Sequence, residues 1–394
     1  MPRTASRNGV VPVSALGVHV RYSDGSERLC MNSGLWNVPF GYGNDEIVER
    51  VHEVSARASY LLQPNIYAVE AAEAIVEVLG RKYSNVLFAT SGGAAVDLAM
   101  KLCRLYGFVA GGKEKRVIVG LTESYHGLLY GSFALTAEKL DQSDYAVDRH
   151  SIRHIKINDA SGLDDILERE GSKICGIFIE PIQGNNGEIA SDAFLGKVTE
   201  AARRLDFLVV ADEVATGVYR TGPVTASSLW ASPPDAVILS KGLTNGMVAA
   251  SAIAVGERAV ETLARNDRRL VHLETQAGTP TSCVAMTQAL TVGRRLSDGG
   301  DIDRAAAALH HVLDDVVASV GSIRVHGAGS FQFLSPDGDG GRLLERGPEG
   351  MTEDLYEAGV LCHPTLRGLS IVPAFICSDS DRAALKSALI GVLR

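Results

Sequence analysis

The sequence predicts an α/β fold: a mostly parallel sheet covered by helices, with a smaller α+β domain assembled from both chain ends. Three observations predict it. From about Asn85 to Val255, short apolar runs alternate with helical stretches. Those runs are nearly continuous rather than alternating, as strands buried on both faces are. The flanks, residues 1–45 and 285–394, instead mix helical stretches with short strands. The 394 residues suffice for two compact domains. The boundaries read as 1–45 for the N-terminal part of the small domain, 46–284 for the large domain and 285–394 for the rest of the small one.

Each element follows from local chemistry. "NVLFAT" (85–90) reads as a strand, and "SGG" opens a helix after it. In that helix Ala95, Ala99, Leu102 and Tyr106 share one face while Asp97, Lys101 and Arg104 share the other. Further strands are expected at Val117–Gly120, Ile174–Glu180, Phe207–Asp212, Ala236–Ser240 and Ala250–Val255. Ser191 or Asp192 is placed to cap a helix that turns Phe194, Leu195, Val198, Ala202 and Leu205 inward. The stretch "SPDGDGG" (335–341) reads as an exposed loop.

Composition narrows the function. Hydrophobic content of 46% with 22% charged residues describes an ordinary soluble globular chain. A formal net charge of -9 leaves no basic surplus for a nucleic-acid partner. The longest apolar runs, such as Met247–Val255, are too short to span a bilayer, and "MPRTASRNGV" shows no secretory core. Six scattered cysteines without a C-x-x-C pair point to a reducing, cytoplasmic compartment. The ten histidines give no metal spacing, so no metal is expected.

Ligands of open parallel sheets sit beyond the carboxyl ends of the strands. Four such ends carry unusual residues here. Thr90-Ser91-Gly92-Gly93 opens a helix, whose unpaired N–H groups and dipole suit a phosphate. "ICGIFIE" ends on Glu180 and "FLVVAD" on Asp212, carboxylates that need a partner if buried. "AVILS" runs into Lys241, whose amine becomes a better nucleophile near low-dielectric walls. Each alone has a plain structural reading: a tight turn, a cap or ion pair, a solvent-facing lysine. Together they form the set that pyridoxal phosphate needs: an anion cradle, an acid for the pyridine nitrogen and a lysine for the Schiff base.

From about Gly17 onward the chain resembles the class III (omega-type) aminotransferases of the fold type I pyridoxal-phosphate enzymes. "ATSGGAAVDLAMKLCR" resembles their phosphate loop and "ESYHG" their ring-stacking motif. "IFIEPIQGNNG", "VVADEVATGVYRTG", "PDAVILSKGLTNG" and "ETQAGTP" follow in the family's order. The resemblance implies a Schiff base of pyridoxal 5'-phosphate on Lys241, which also shuttles the proton, and Asp212 on the pyridinium nitrogen. It implies Ser91, Gly92 and Gly93 at the phosphate, Tyr125 and Val214 on the two ring faces, and Glu180 beside the cofactor. Thr275 would reach the phosphate of a partner subunit, which implies a homodimer with the site at its interface. Trp36 resembles an aromatic of the substrate pocket, with a plain core tryptophan as the alternative, and His126 reads as structural.

Departures from the family pattern are informative. Ala215 stands where a glutamine often meets the ring hydroxyl, and Gly93 stands where a serine or threonine meets the phosphate. Asn185 replaces the acid of "QGEGG", and Ser370 replaces an arginine that clamps a substrate α-carboxylate. Arg367 lies close enough in sequence to substitute for it. In the family that acid masks that arginine, and this chain lacks both. The expected reaction moves an amino group from a small-molecule donor to an aldehyde or ketone without a free α-carboxylate, such as a secondary metabolite or a modified peptide. The motifs leave open a racemase, aminomutase or decarboxylase on the same scaffold, and a degenerate binding partner without catalysis.

Overall fold

The computed structural model describes residues 9–62, 64–338 and 341–394. Three strands open the chain: β1 (Pro12–Leu16), β2 (His19–Tyr22) and β3 (Glu27–Cys30). The central sheet holds β4 (Tyr83–Ala89), β5 (Val117–Leu121), β6 (Ile152–Ile155), β7 (Ile174–Ile179), β8 (Leu208–Asp212), β9 (Ala236–Leu239) and β10 (Ser251–Gly256). The C-terminal part adds β11 (Ile323–Ala328), β12 (Phe331–Pro336), β13 (Val360–Leu361), β14 (His363–Pro364) and β15 (Leu369–Ile371).

The central sheet runs β4-β10-β9-β8-β7-β5-β6. Every residue of β5, β7, β8, β9 and β10 is buried, which is why their sequences read as unbroken apolar runs. Six of the seven strands lie where the sequence places them. The seventh, β6, is an edge strand whose "IRHI" buries only its two isoleucines, so it carries no apolar run. β10 is antiparallel to both β4 and β9. The chain returns from β9 to β10 through residues 240–250 with only a single short helical turn, Lys241–Thr244. A parallel return needs a longer crossover, so direction reverses there.

The helix Gly92–Gly111 buries Ala95, Ala99, Leu102 and Tyr106 against the sheet. Ser191 is the residue that caps the helix Asp192–Leu205, its hydroxyl accepting from the Phe194 N–H at 3.3 Å. The helix Pro280–Asp298 packs Val284, Ala285, Met286, Ala289 and Leu290 into the core under the opposite face.

Chain ends meet in two smaller sheets. One orders β1-β2-β3-β13, with β13 parallel to β3, so that Leu29 faces Val360. The other orders β11-β12-β15-β14. Val18, Leu29 and Met31 share one core with Leu313, Leu334, Leu369 and Leu389. The expected exposed loop at 335–341 is corrected at its start: Ser335 and Pro336 belong to β12, paired with Arg324 and Ile323, and Ser335 is buried. Residues 339 and 340 of that stretch, and the first eight of the chain, lie outside the described residues. No helix among the described residues is long and apolar enough to cross a membrane.

Packing predicts graded losses of stability. Phe178 is fully buried in β7 and sits edge-on to the His126 ring, so Phe178→Ala should cost about 3–5 kcal/mol. Ser191→Ala removes one cap and should cost about 1 kcal/mol. Guanidinium unfolding followed by far-UV dichroism measures both.

Candidate active site

Strand register brings the chemistry together. Ile179 pairs with Ala211 across β7 and β8, so Glu180 and Asp212 leave neighbouring strands at the same level. Asp212 in turn pairs with Ile238 of β9, three residues before Lys241. The carboxylates and the lysine thus come from three adjacent strand ends. On the far side of β10, Ser251 donates from Oγ to the Ser91 carbonyl at 2.8 Å, which ties the helix opening at Gly92 to the same edge.

Asp212 is buried and hydrogen-bonded through both oxygens. Its Oδ2 lies 2.6 Å from His126 Nδ1 and its Oδ1 accepts from the Val214 N–H at 3.1 Å. Burial pulls the His126 pKa down, but the hydrogen bond and charge of Asp212, with the charge of Glu180, outweigh it and raise it. This hydrogen bond gives the buried Asp212 carboxyl a close polar partner, which offsets part of the cost of burying it. His126 is the residue that sequence reasoning undervalued. Its position beside Tyr125 in "ESYHG" was the available signal, but only the fold shows it reaching Asp212. Its backbone is fixed by Thr136, whose Oγ1 accepts from the His126 N–H and donates to the Gly127 carbonyl, each at 2.9 Å.

Glu180 accepts from the backbone N–H groups of Tyr125 and Gly184, both at 3.2 Å. Burial pushes its carboxyl up to about 7. Lys241 moves in the opposite direction: burial lowers its amine to about 8, against the pull of Asp212 and Glu180. Its Nζ stands 4.2 Å from the centroid of the Trp36 ring, in cation–π range.

Backbone strain concentrates here. Ser33, Gly34, Leu35 and Trp36 all have positive φ, from 46° to 69°, a left-handed turn. Such residues cost roughly 1–2 kcal/mol each outside glycine. The turn is held by Trp36 N–H to the Asn32 carbonyl at 2.7 Å and by Ser33 Oγ to the Val372 carbonyl at 2.6 Å. Gly34 suits this turn: its φ is 60°, and a Cβ there would lie 2.7 Å from the Tyr42 hydroxyl, which would have to move. Lys241 itself has φ of 46°. Strain at a lysine and at the ring covering it is strain held where chemistry is expected.

The residues present fit a phosphorylated pyridine aldehyde. The Ser91 hydroxyl caps the helix by accepting from Ala94 N–H at 3.2 Å, while the N–H groups of Gly92 and Gly93 bond to no described residue. They are open to an anion. A Cβ on Gly92 would meet Val214 Cγ1 at 3.0 Å, so the cradle and Val214 adjoin. Tyr125 is 39% exposed on the loop across from it. Thr275 is exposed, and its neighbour Glu274 accepts from the Thr90 N–H at 3.0 Å, beside the cradle.

The substrate-side residues divide. Trp36 is buried in an aromatic cluster with Ile182, Phe331, Phe333 and Val372, and Ala215 packs against it. Phe331, Phe333 and His363 were not singled out in the sequence, because the chain gives no sign that distant C-terminal strands close over Trp36. Arg367 is not brought to this cluster. Its guanidinium pairs with Glu123 at 2.7 and 2.8 Å and is 54% exposed. Ser370 is fully buried in β15.

Comparison with known proteins agrees with the geometry. The family model "Aminotransferase class-III" matches residues 2–393. Acetylornithine aminotransferase of Haemophilus ducreyi is 30% identical over 281 residues, 70% of this chain and 68% of that protein. Putrescine–pyruvate aminotransferase of Pseudomonas aeruginosa is 28% identical over 305 residues, 71% of this chain and 66% of its own length. Among solved structures, a transaminase from the marine bacterium Virgibacillus superposes with a TM-score of 0.90 at 23% identity, covering 98% of this chain and 92% of that one. An amine transaminase from an uncultivated Pseudomonas species in its PLP-bound form superposes with a TM-score of 0.89 at 21% identity, covering 100% and 96%. The chain belongs to the class III aminotransferases, which are pyridoxal-phosphate-dependent.

The cradle yields a direct prediction. Gly92→Val places two methyl groups against Val214 at the anion site. It should weaken retention of pyridoxal phosphate at least about tenfold, read by absorbance after dialysis, with the fold preserved by dichroism.

Proposed function

We propose that this class III aminotransferase transfers an amino group from a small-molecule amino donor to an aldehyde or ketone that lacks a free α-carboxylate. The observation that carries the reaction is the convergence of the Lys241 amine, the His126–Asp212 pair and the open Gly92 and Gly93 N–H groups at one sheet edge. Bound there, pyridoxal phosphate supplies an electron sink that makes the carbon beside the substrate nitrogen acidic.

The chain's own groups do the rest. Gly92 and Gly93 would hold the phosphate with their backbone N–H groups, and Ser91 keeps that turn capped. Asp212, oriented by His126, would keep a proton on the pyridine nitrogen. Tyr125 and Val214 would pack against the ring, and Glu180, at the end of β7, would lie near it. The Lys241 amine would hold the cofactor and serve as the base that moves a proton at the reacting carbon. A pKa near 8 keeps a useful share of it in the basic form near neutrality.

Three features support the acceptor class. Ser370 offers no charge and is sealed in its sheet. Arg367 is tied to Glu123. Asn185 donates from Nδ2 to the Glu123 carbonyl at 3.1 Å and to Glu138 at 3.2 Å, and is no acid. With Ala215 and Trp36 forming apolar walls, the site suits an uncharged carbonyl compound, including one carried on a metabolite or peptide.

A homodimer completes the site in this reading, with Thr275 meeting the partner's phosphate. Val271 and Leu273 are 83% and 89% exposed beside Thr275, and Tyr130, the first residue of the helix Tyr130–Leu135, is 71% exposed. Apolar side chains this open around a site mark a protein contact. Six unpaired cysteines suit a reducing, cytoplasmic setting.

Lys241→Ala should lose the covalently held cofactor and all transfer. Borohydride treatment of the parent holoenzyme should fix the cofactor on the peptide that contains Lys241, read by mass spectrometry. In steady-state assays, aldehydes should exceed simple 2-oxo acids in kcat/KM by at least about tenfold. Simple 2-oxo acids proving the best substrates in both half-reactions would refute the acceptor assignment.

A further inference from the structure

The sheet β11-β12-β15-β14 lays four residues in one row. His326 pairs with Phe333, Phe333 with Ser370, and Ser370 with His363. Directly opposed residues of antiparallel strands share a face, so all four side chains stand on the same side. That side looks onto Trp36. Phe333 joins the Trp36 cluster, and the His363 ring meets the Trp36 ring edge-on with centroids 5.8 Å apart. Trp36 in turn covers the Lys241 amine.

The two histidines of the row differ in their partners. His326 donates from Nε2 to the Asn186 carbonyl at 2.8 Å, beneath the loop that carries Gly187. Neither ring nitrogen of His363 has a hydrogen-bond partner among the described residues, and the residue is only partly buried. The Trp36 Nε1–H, in the same cluster, is buried and equally without a partner. An otherwise apolar wall of Phe331, Phe333, Ile182 and Val372 thus carries unused hydrogen-bonding groups on three side chains: His326, whose Nδ1 is buried against Phe333, and Trp36 and His363, which lie beside the reactive amine.

We propose that His363 is a specificity-determining residue: its imidazole hydrogen-bonds an uncharged polar group, a hydroxyl, carbonyl or amide, on an acceptor whose body is apolar or aromatic. The assignment rests on the reading of Lys241 as the reacting amine and names the acceptor more closely. Burial, and then the charge of Lys241, lower the His363 pKa, so the ring is neutral near pH 7 and presents one donor and one acceptor. A neutral imidazole favours an uncharged partner over a carboxylate. Ser370, between His363 and Phe333, is small enough to let both larger neighbours approach the substrate space.

The test compares holoenzymes of the parent, His363→Phe and His363→Gln on benzaldehyde, meta- and para-hydroxymethylbenzaldehyde and para-formylbenzoate. The parent should favour the better hydroxymethyl isomer over benzaldehyde by about tenfold in kcat/KM, mostly through KM. His363→Phe should bring that ratio close to one, and His363→Gln should restore most of it. Calorimetry with unreactive benzenedimethanol against benzyl alcohol should show the same ratio in Kd and the same loss. A ratio near one in the parent, a ratio unchanged by His363→Phe, or a parent preference for para-formylbenzoate that His363→Phe removes would overturn the assignment. Parent protein that transfers no amino group to any probe, yet keeps the calorimetric ratio, would overturn the reaction reading and support His363 as a binding residue.

Discussion

The Lys241 amine loses more to burial than it gains from the carboxylates near it. Asp212 and Glu180 both favour its charged form, and desolvation beneath Trp36 opposes them and prevails. A lysine in that balance is available as a base and nucleophile near neutrality, whereas a solvated one is not. The balance depends on how the surrounding charges are arranged. His126 hydrogen-bonds Asp212 at 2.6 Å, and burial pushes the Glu180 carboxyl up to about 7.

The fold makes this balance possible. Three adjacent strands end at one level and deliver Glu180, Asp212 and Lys241 within reach of one another. Those strands are buried on both faces, so their ends cannot shift without disturbing a continuous core. The left-handed turn of Ser33–Trp36 is the complementary constraint. It holds a strained backbone in place through Asn32 and the Val372 carbonyl, and so joins both chain ends over the amine. Trp36 then serves two surfaces: one faces Lys241, the other meets Phe331 and His363.

What was legible in the sequence was what local pattern encodes. Strands buried on both faces read as apolar runs, and the unusual residues at their ends stood out against them. The edge strand β6 did not, because Arg153 and His154 interrupt it. The antiparallel direction of β10 is set by the length of its connection, not by its composition. His126 sits inside a motif that the sequence displays, but its partner Asp212 lies 86 residues further along the chain. His363, Phe331 and Phe333 were invisible for the same reason: a row across a sheet is fixed by pairing register, which no local window contains. Arg367 was close in sequence to the missing arginine, yet the hairpin turns its guanidinium to Glu123.

The central claim is that burial, not a neighbouring charge, sets the reactivity of one amine. Competitive acylation of the cofactor-free protein across pH, with Lys241 read by peptide mass spectrometry against the exposed lysines, measures this directly. The account predicts a midpoint near 8 for Lys241, with its labelling falling about tenfold per pH unit below that midpoint. A midpoint for Lys241 indistinguishable from that of the exposed lysines would contradict it.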